Sequence, residues 1–339
     1  MAAADGALPQ GVVLVMGAGL VGCYLGGHLQ ASGVPVAFVG RGSVIDELAA
    51  NGLRLTDLAG GDRRVPAAAL RLYTQVPKGI RPALVLLCVK RPALVDSLRL
   101  LARSVPEDTP VLCCQNGLFA QADAEAAAPH LHLVPAMVPF NVMRRGPGHF
   151  HRGTAGELAT QDDPWLLPWQ TVFQQAGLPL SLHADMGSVQ WGKLLLNLNN
   201  PVNALSGLPL RAQLLDAGYR RQYAGLVDEA LTLLRRVRIE PHQMTPLTWE
   251  RFLAVLRLPT PLFRLVAARM LRIDAHARSS MAEDLAAGRS TEIDSLCGEV
   301  VRLAHDMGTE APLNAQMVET VTRAQARTVP GVSAPAGVR

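Results

Sequence analysis

Lysine is nearly absent from this chain, so the places that keep it are the first candidates for chemistry. Of 32 basic residues only Lys78, Lys90 and Lys193 are Lys, and the rest are Arg. Arg is locked in its charged state, whereas Lys gives up a proton when its surroundings depress its pKa. Lys193 lies in the run Trp191-Gly192-Lys193-Leu194-Leu195-Leu196-Asn197-Leu198-Asn199-Asn200. Read as one helix from Asp185 to Asn200, this run puts Lys193, Asn197 and Asn200 at i, i+4 and i+7, on a single face. A polar stripe on a strongly apolar helix is costly to bury unless it meets a ligand or a water-filled cleft. The alternative is a network of hydrogen bonds between helices.

A second cluster lies near the N-terminus. Gly17-Ala18-Gly19-Leu20-Val21-Gly22 is a GxGxxG between a short apolar strand, Val12 to Gly17, and a helical pattern, Leu20 to Ser32. In that context the first glycine permits a tight turn, the second lets the backbone approach a pyrophosphate, and the third lets helix and strand pack closely. The helix N–H groups and the positive end of its dipole then face the phosphates. A dinucleotide site is expected here, against the plainer reading of a glycine-rich turn. The next strand, Val34 to Gly40, is followed by Arg41, with no acid until Asp46. NAD sites place Asp or Glu there for the ribose 2′-OH. Arg41 would instead attract a 2′-phosphate through charge-assisted bonds, so the sequence points to NADP unless Arg41 merely faces solvent.

Two further strands end in Cys88-Val89-Lys90 and Gln115-Asn116-Gly117. Ligands of open α/β sheets bind beyond the carboxyl ends of strands, so Lys90 and Asn116 are candidate contacts to cofactor or substrate. An ordinary strand-end Lys and an Asn-Gly turn would look the same. Later come Ser279-Ser280-Met281 and Ser290-Thr291-Glu292. Ser290 or Thr291 reads as an N-cap and Glu292 as an acid in the first helical turn, where the dipole favours it. On its own residues Glu292 therefore reads as structural.

These groups need elements to position them. Apolar strands at Val12 to Gly17, Val34 to Gly40, Leu84 to Val89 and Pro110 to Cys114 alternate with helical patterns. This predicts an α/β domain with a parallel-rich sheet covered on both faces. Leu53 to Leu58 and Val65 to Tyr73 read as a strand pair around Gly60-Gly61-Asp62. Leu131 to Phe140, His149 to Thr160 and Leu178 to His183 add strands, and from Asp185 onward only helical patterns remain. The expected division is residues 1–184 as the NADP-binding domain and 185–328 as an all-α substrate and catalytic domain. Residues 329–339, rich in Pro, Gly, Ala and Ser, read as a flexible tail.

The composition narrows the class. The chain has 339 residues, 49% hydrophobic and 18% charged, with a formal net charge of +4. That is enough apolar material for a core, and the scattered basic residues give no support to nucleic-acid binding. No apolar run approaches the ~20 residues of a membrane helix, and the N-terminal segment lacks the pattern of a secretory leader. The five Cys read as buried free thiols of a cytoplasmic protein. His130-x-His132 and His149-x-His151 each point to one side of a strand, but without a third ligand no metal site is expected. The apolar helices between Trp249 and Leu271 could serve as core or as the face of a homodimer.

Taken together, GAGLVG, CVK at 88–90, QNG at 115–117, WGKLLLN at 191–197, SSM at 279–281, TEID at 291–294 and GEVVRLAHDMG at 298–308 resemble 2-dehydropantoate 2-reductase, the ketopantoate reductase family. The resemblance runs over roughly residues 11 to 326. It implies a Rossmann-type domain followed by a helical domain, an active site in the cleft between them, and NADPH-dependent reduction of ketopantoate to pantoate in pantothenate synthesis. By this resemblance Lys193 is the catalytic lysine and Glu292 the catalytic glutamate. Asn116, Asn197 and Ser280 are substrate contacts, Lys90 lines the cleft, and Gly17, Gly19, Gly22 and Arg41 hold NADPH. Where well-known members carry a second Asn four residues beyond Asn197, this chain has Pro201, so that role passes to Asn200. Ser206 to Leu210 also lacks an Asn that some members use near the substrate. Both departures fall in the substrate pocket. Competing readings are a reductase of the same fold for another short 2-oxo or 3-oxo acid, and a non-catalytic NADP(H) sensor. No role is assigned to Lys78, which lies in a Pro-Lys-Gly turn.

Overall fold

The computed structural model describes residues 11–119, 121–268, 271 and 277–328. The tail at 329–339 lies outside them. The chain forms two compact units, Met1–Met186 and Gly187–Arg339.

The strands of the first unit are, in chain order, β1 (Val12–Met16), β2 (Val36–Val39), β3 (Leu53–Asp57), β4 (Asp62–Val65), β5 (Arg71–Tyr73), β6 (Pro82–Leu87), β7 (Pro110–Cys113), β8 (His132–Met137), β9 (Val142–Gly146), β10 (His149–Arg152), β11 (Leu158–Gln161) and β12 (Leu180–His183). Between them lie helices α1 (Leu20–Ala31), α2 (Gly42–Asn51), α3 (Leu94–Ser104), α4 (Gln121–Ala127) and α5 (Leu167–Gln175). The main sheet has the order β12-β11-β8-β7-β6-β1-β2-β5 and is parallel except between β8 and β11. The apolar run of β1 follows from burial on both faces: Val13 and Val15 enter one core, Leu14 and Met16 the other. From β1 the strand order runs out through β2 and β5, then resumes at β6 on the opposite side of β1. The crevice at such a reversal, beyond the carboxyl ends of β1 and β6, is where open sheets bind ligands.

The segment from Leu53 to Tyr73 differs from its sequence reading. β3 pairs with β4, while Arg71–Tyr73 joins the main sheet beside β2. Pro66, which has no N–H to give to a ladder, ends β4 and divides the two. His149 to Thr160 likewise splits, giving β10 to one sheet and β11 to the other. The second sheet, β4-β3-β10-β9, packs on α1, whose other side meets β1, β2 and β6. Held between two sheets, this helix buries every residue from Gly22 to Leu29, including His28. The His28 Nδ1 is 3.0 Å from the Ala176 carbonyl, and burial lowers the pKa of the ring. His149 and His151 both reach Thr56 Oγ1, at 2.9 and 2.8 Å, and His132 pairs with Asp163 at 2.7 Å. Among the described residues no group of His, Cys, Asp and Glu could hold a metal ion. All five Cys are free thiols.

The second unit is helical: α6 (Met186–Asn197), α7 (Asn199–Ser206), α8 (Leu210–Leu215), α9 (Ala217–Arg236), α10 (Trp249–Arg257), α11 (Thr260–Val266), α12 (Ser280–Ala286), α13 (Cys297–Asp306) and α14 (Pro312–Thr328). The pattern from Arg211 to Val237 is two helices because Asp216 caps the second, accepting from Gly218 N at 2.7 Å and Tyr219 N at 3.1 Å. Arg220 is fully buried. It donates to the carbonyls of Leu214, Leu256 and Leu258 at 2.9, 3.1 and 2.7 Å and lies 4.2 Å over the Phe263 ring. Trp249, Phe252, Leu253 and Leu256 turn into the core, while Leu262, Leu265 and Val266 of α11 are exposed. No described helix is long and apolar enough to cross a membrane.

Candidate active site

The glycine turn after β1 is crowded on one side and open on the other. Gly17 has φ +104°, and a Cβ there would lie 2.8 Å from the Val89 nitrogen. A Cβ on Gly22 would lie 2.2 Å from the Gly17 carbonyl oxygen. A Cβ on Gly19 would meet nothing within 4 Å, so the backbone there borders open space. Helix α1 begins with no side-chain cap and no acid in its first turn, which leaves its leading N–H groups and dipole to an outside anion. This arrangement fits a diphosphate. Val39 fixes the next strand to the same turn, since its carbonyl accepts from both Gly17 N (3.0 Å) and Ala18 N (2.9 Å). Two residues on, Arg41 is exposed at the start of α2, as a 2′-phosphate contact would require.

Three strand ends are stitched together at this edge. Cys88 N donates to the Met16 carbonyl at 2.8 Å, joining β6 to β1. Gln115 Nε2 donates to the carbonyls of Leu87 (2.8 Å) and Val89 (3.3 Å), joining the end of β7 to that of β6. Arg91 adds a bond to the Leu118 carbonyl at 2.9 Å. Lys90 and Asn116 stand exposed on this scaffold. Sequence reasoning missed Gln115 and Arg91 as the residues that hold it. Gln115 Oε1 is buried with no donor among the described residues. Lys78 is exposed in its turn, away from these strand ends in sequence.

In the second unit Lys193 is positioned by the residue before it. Trp191 is buried, and a Cβ on Gly192 would lie 2.3 Å from the His242 carbonyl oxygen. One turn earlier, Ser188 O accepts from His242 N at 3.0 Å, and Ser188 Oγ donates to the Glu240 carbonyl. The N-terminal half of α6 is thus docked on segment 240–244. Lys193 is half-buried, and desolvation draws its pKa down to about 8.

The expected helix from Asp185 to Asn200 is not continuous. α6 ends at Asn197 and α7 begins at Asn199. Pro201 explains the break: it cannot donate to the Asn197 carbonyl and its ring would clash there, but it is tolerated in the first turn of a new helix. Lys193 and Asn197 keep their shared face, whereas Asn200 belongs to the next helix. The structure also sorts the four asparagines of this stretch. Asn199 exchanges two bonds with Gln213, at 3.2 and 3.1 Å. Asn203 accepts from Ser279 N (2.9 Å) and donates to the Leu208 carbonyl (2.9 Å), which holds the Ser206–Leu210 segment. Asn197 and Asn200 are half-buried, and their side chains make no hydrogen bond among the described residues.

Ser279 is the N-cap of α12, accepting from Ala282 N at 3.2 Å, and its hydroxyl donates to the Asn200 carbonyl at 3.2 Å. It thereby brings Ser280, exposed in the first turn of α12, beside Asn200. Glu292 is not inside a first α-helical turn. It precedes a 3₁₀ turn, Ile293–Ser295, and α13 starts only at Cys297. Neither Ser290 nor Thr291 caps it; Thr291 N instead donates to Gln325 of α14 at 2.8 Å. α14 packs against α7, α12 and this 3₁₀ turn, so one helix supports the segments that carry Asn200, Ser280 and Glu292.

Residues 13–164 match the family model described as ketopantoate reductase PanE/ApbA, and residues 185–325 match ketopantoate reductase PanE/ApbA C terminal. The 2-dehydropantoate 2-reductase of Halobacterium salinarum is 27% identical over 322 residues, covering 92% of this chain and 98% of that protein. That of Mesorhizobium japonicum is 25% identical, covering 88% and 93%. Among solved structures, a ketopantoate reductase of Ralstonia eutropha JMP134 is similar with a TM-score of 0.78 and 25% identity, over 94% of this chain and 99% of that one. A D-mandelate dehydrogenase in complex with NADH and anilino(oxo)acetate shares the fold with a TM-score of 0.77 at 19% identity, over 94% and 99%. The two family matches, one on each side of the unit boundary, together span most of the sequence, and the chain belongs to the ketopantoate reductase family.

Proposed function

We propose that this chain reduces 2-dehydropantoate to pantoate with NADPH, a step of pantothenate synthesis. The observation that carries this reading is Lys193: a half-buried ammonium with a pKa near 8, one helical turn from the open amide of Asn197. The backbone from Gly17 to Gly22 would hold the diphosphate at the N-terminus of α1, and Arg41 the 2′-phosphate. Lys90 and Asn116 would contact the cofactor or the substrate at the same sheet edge. When bound, the reduced nicotinamide supplies a hydride.

Reduction of a 2-oxo acid builds negative charge on the carbonyl oxygen. Lys193 Nζ, directed at that oxygen, stabilises the charge and then donates its proton. Arg could supply the charge but not the proton. Its lowered pKa matches the general acid to neutral pH. The amides of Asn197 and Asn200 and the Ser280 hydroxyl orient the carboxylate and hydroxyl of the substrate, which supplies positioning. Glu292 accepts from the substrate hydroxyl and helps to hold the Lys193 charge.

Pro201 favours a second reading, in which the same machinery reduces another short 2-oxo acid, because it removes a hydrogen-bonding side chain from the substrate pocket. A D-mandelate dehydrogenase of similar fold supports that breadth. NADPH oxidation with a panel of 2-oxo acids decides between them. The first reading expects 2-dehydropantoate to be preferred, and turnover no better than with 2-oxoisovalerate would sink it.

A further inference from the structure

The break after α6 leaves the helix with a C-terminal turn of its own, and one side chain on α9 reaches two carbonyls of that turn. The Leu194 carbonyl still accepts from Leu198 N at 2.9 Å. The next two carbonyls, Leu195 and Leu196, face the Tyr223 hydroxyl, at 3.3 and 3.1 Å. A phenol carries one hydrogen, so the two carbonyls share it. Tyr223 is buried, and its ring meets that of Phe252 edge-on at 5.9 Å. The N-terminal half of α6 has its own anchor, through Ser188 and Gly192 on segment 240–244. The last turn, between Lys193 and Asn197, is tied to α9 by Tyr223.

We infer that Tyr223 is a positioning residue for the reduction: its hydroxyl fixes the last turn of α6 and so holds the Lys193 ammonium and the Asn197 amide toward the same substrate. This rests on the assignment of Lys193 and Asn197 to the reaction. A helix end without partners for its carbonyls frays, and a small displacement of a catalytic group is felt steeply in rate. Tyr223 acts on the chemical step only through α6. Tyr223 belongs to the helical unit and the glycine turn to the other, so cofactor binding should not depend on it.

The test compares two variants of the full chain. Tyr223→Phe removes the hydroxyl and keeps the ring; Phe252→Leu removes the packing ring and keeps the hydroxyl. Both are assayed well below their melting temperatures. Tyr223→Phe is expected to lower kcat at least about tenfold with the KM for NADPH nearly unchanged. Phe252→Leu is expected to lower the melting temperature with kcat nearly unchanged. A second readout needs no substrate. With lysine labelled by ¹³C at Cε, the three Lys give three signals. The Lys193 signal, assigned by its loss in Lys193→Arg, should move in Tyr223→Phe and stay in Phe252→Leu, while those of Lys78 and Lys90 stay in both. An unmoved Lys193 signal in Tyr223→Phe, or an equal loss of kcat in both variants, overturns the inference. Should the wild type prefer another 2-oxo acid, the proposed substrate falls, and the labelled lysines still decide whether Tyr223 holds Lys193.

Discussion

Gly192 and the His242 carbonyl stand so close that no side chain fits between them; a Cβ on Gly192 would lie 2.3 Å from the oxygen. The acceptor is backbone and cannot rotate away. Gly192→Ala should therefore displace α6 from segment 240–244, costing roughly 1–3 kcal/mol of stability as overpacking does. Since Lys193 is the next residue, kcat should fall as well. Urea unfolding and steady-state kinetics on the same sample would check both, and an unchanged kcat would separate the docking of α6 from the placement of Lys193.

The glycine turn offers an internal contrast. Gly22→Ala would force a Cβ against the Gly17 carbonyl and should destabilise the first unit. Gly19→Ala has open space and a φ of −94° that Ala accepts, so the fold should be little affected. The added methyl would nevertheless occupy ground needed by a phosphate, and the Kd for NADPH should rise at least about tenfold. Thermal melts paired with fluorescence titration of NADPH would show whether the two effects separate.

Arg41 should set the choice between cofactors. Arg41→Ala is expected to weaken NADPH binding much more than NADH binding, because only the former offers a 2′-phosphate. Equal loss for both would remove Arg41 from recognition.

Lys193 carries two consequences of its lowered pKa. In the proposed mechanism the active form is the ammonium, so kcat should be level below about pH 7 and decline as pH rises through about 8. Burying that charge also opposes folding. With the folded pKa below the ordinary value, the penalty is present at neutral pH and disappears as pH rises above the folded pKa. Lys193→Met should thus abolish turnover while raising the melting temperature by a few degrees, on the order of 2 °C or more. A melting temperature below that of wild type at pH 7 would contradict this account.

His28 gives a stability change of the same sign in a lower pH window. Burial keeps its ring neutral in the folded state, while the unfolded chain takes up a proton below the ordinary value of about 6.5. Its contribution is intact above that pH and weakens as pH falls, by at most about 1.4 kcal/mol per unit. Denaturant unfolding between pH 7 and 5 should show this slope, and His28→Gln should flatten it.

Periodicity was enough to find the main sheet, because β1, β6 and β7 are buried on both faces and their apolar runs cannot be mistaken for surface strands. The second sheet escaped notice for the converse reason. β4 reads Asp-Arg-Arg-Val and β9 Val-Met-Arg-Arg-Gly, largely polar edges, and the strands that join the two halves of this sheet, β3 and β10, lie far apart in sequence. Within the candidate site, Lys193 and the glycine turn were legible from residue type and spacing. Gln115 and Tyr223 were not, since they act by reaching backbone carbonyls, and a carbonyl has no letter in the sequence. Pro201 was visible as a departure, but its effect on the helix emerged only when α6 was seen to end at Asn197.

The clamp made by Arg220 has the same quality. Its guanidinium joins α8, α9 and the end of α10 through the carbonyls of Leu214, Leu256 and Leu258. These bonds require a backbone at each position and are blind to what it carries. Mutational drift at those three leucines, within the bounds of core packing, therefore leaves the frame of the helical unit standing. Drift at position 220 does not: a single ammonium nitrogen cannot span three carbonyls as a flat fork does. The near-exclusion of lysine from this chain has an architectural side, in which the cation that cannot serve as an acid is the one that holds the helices.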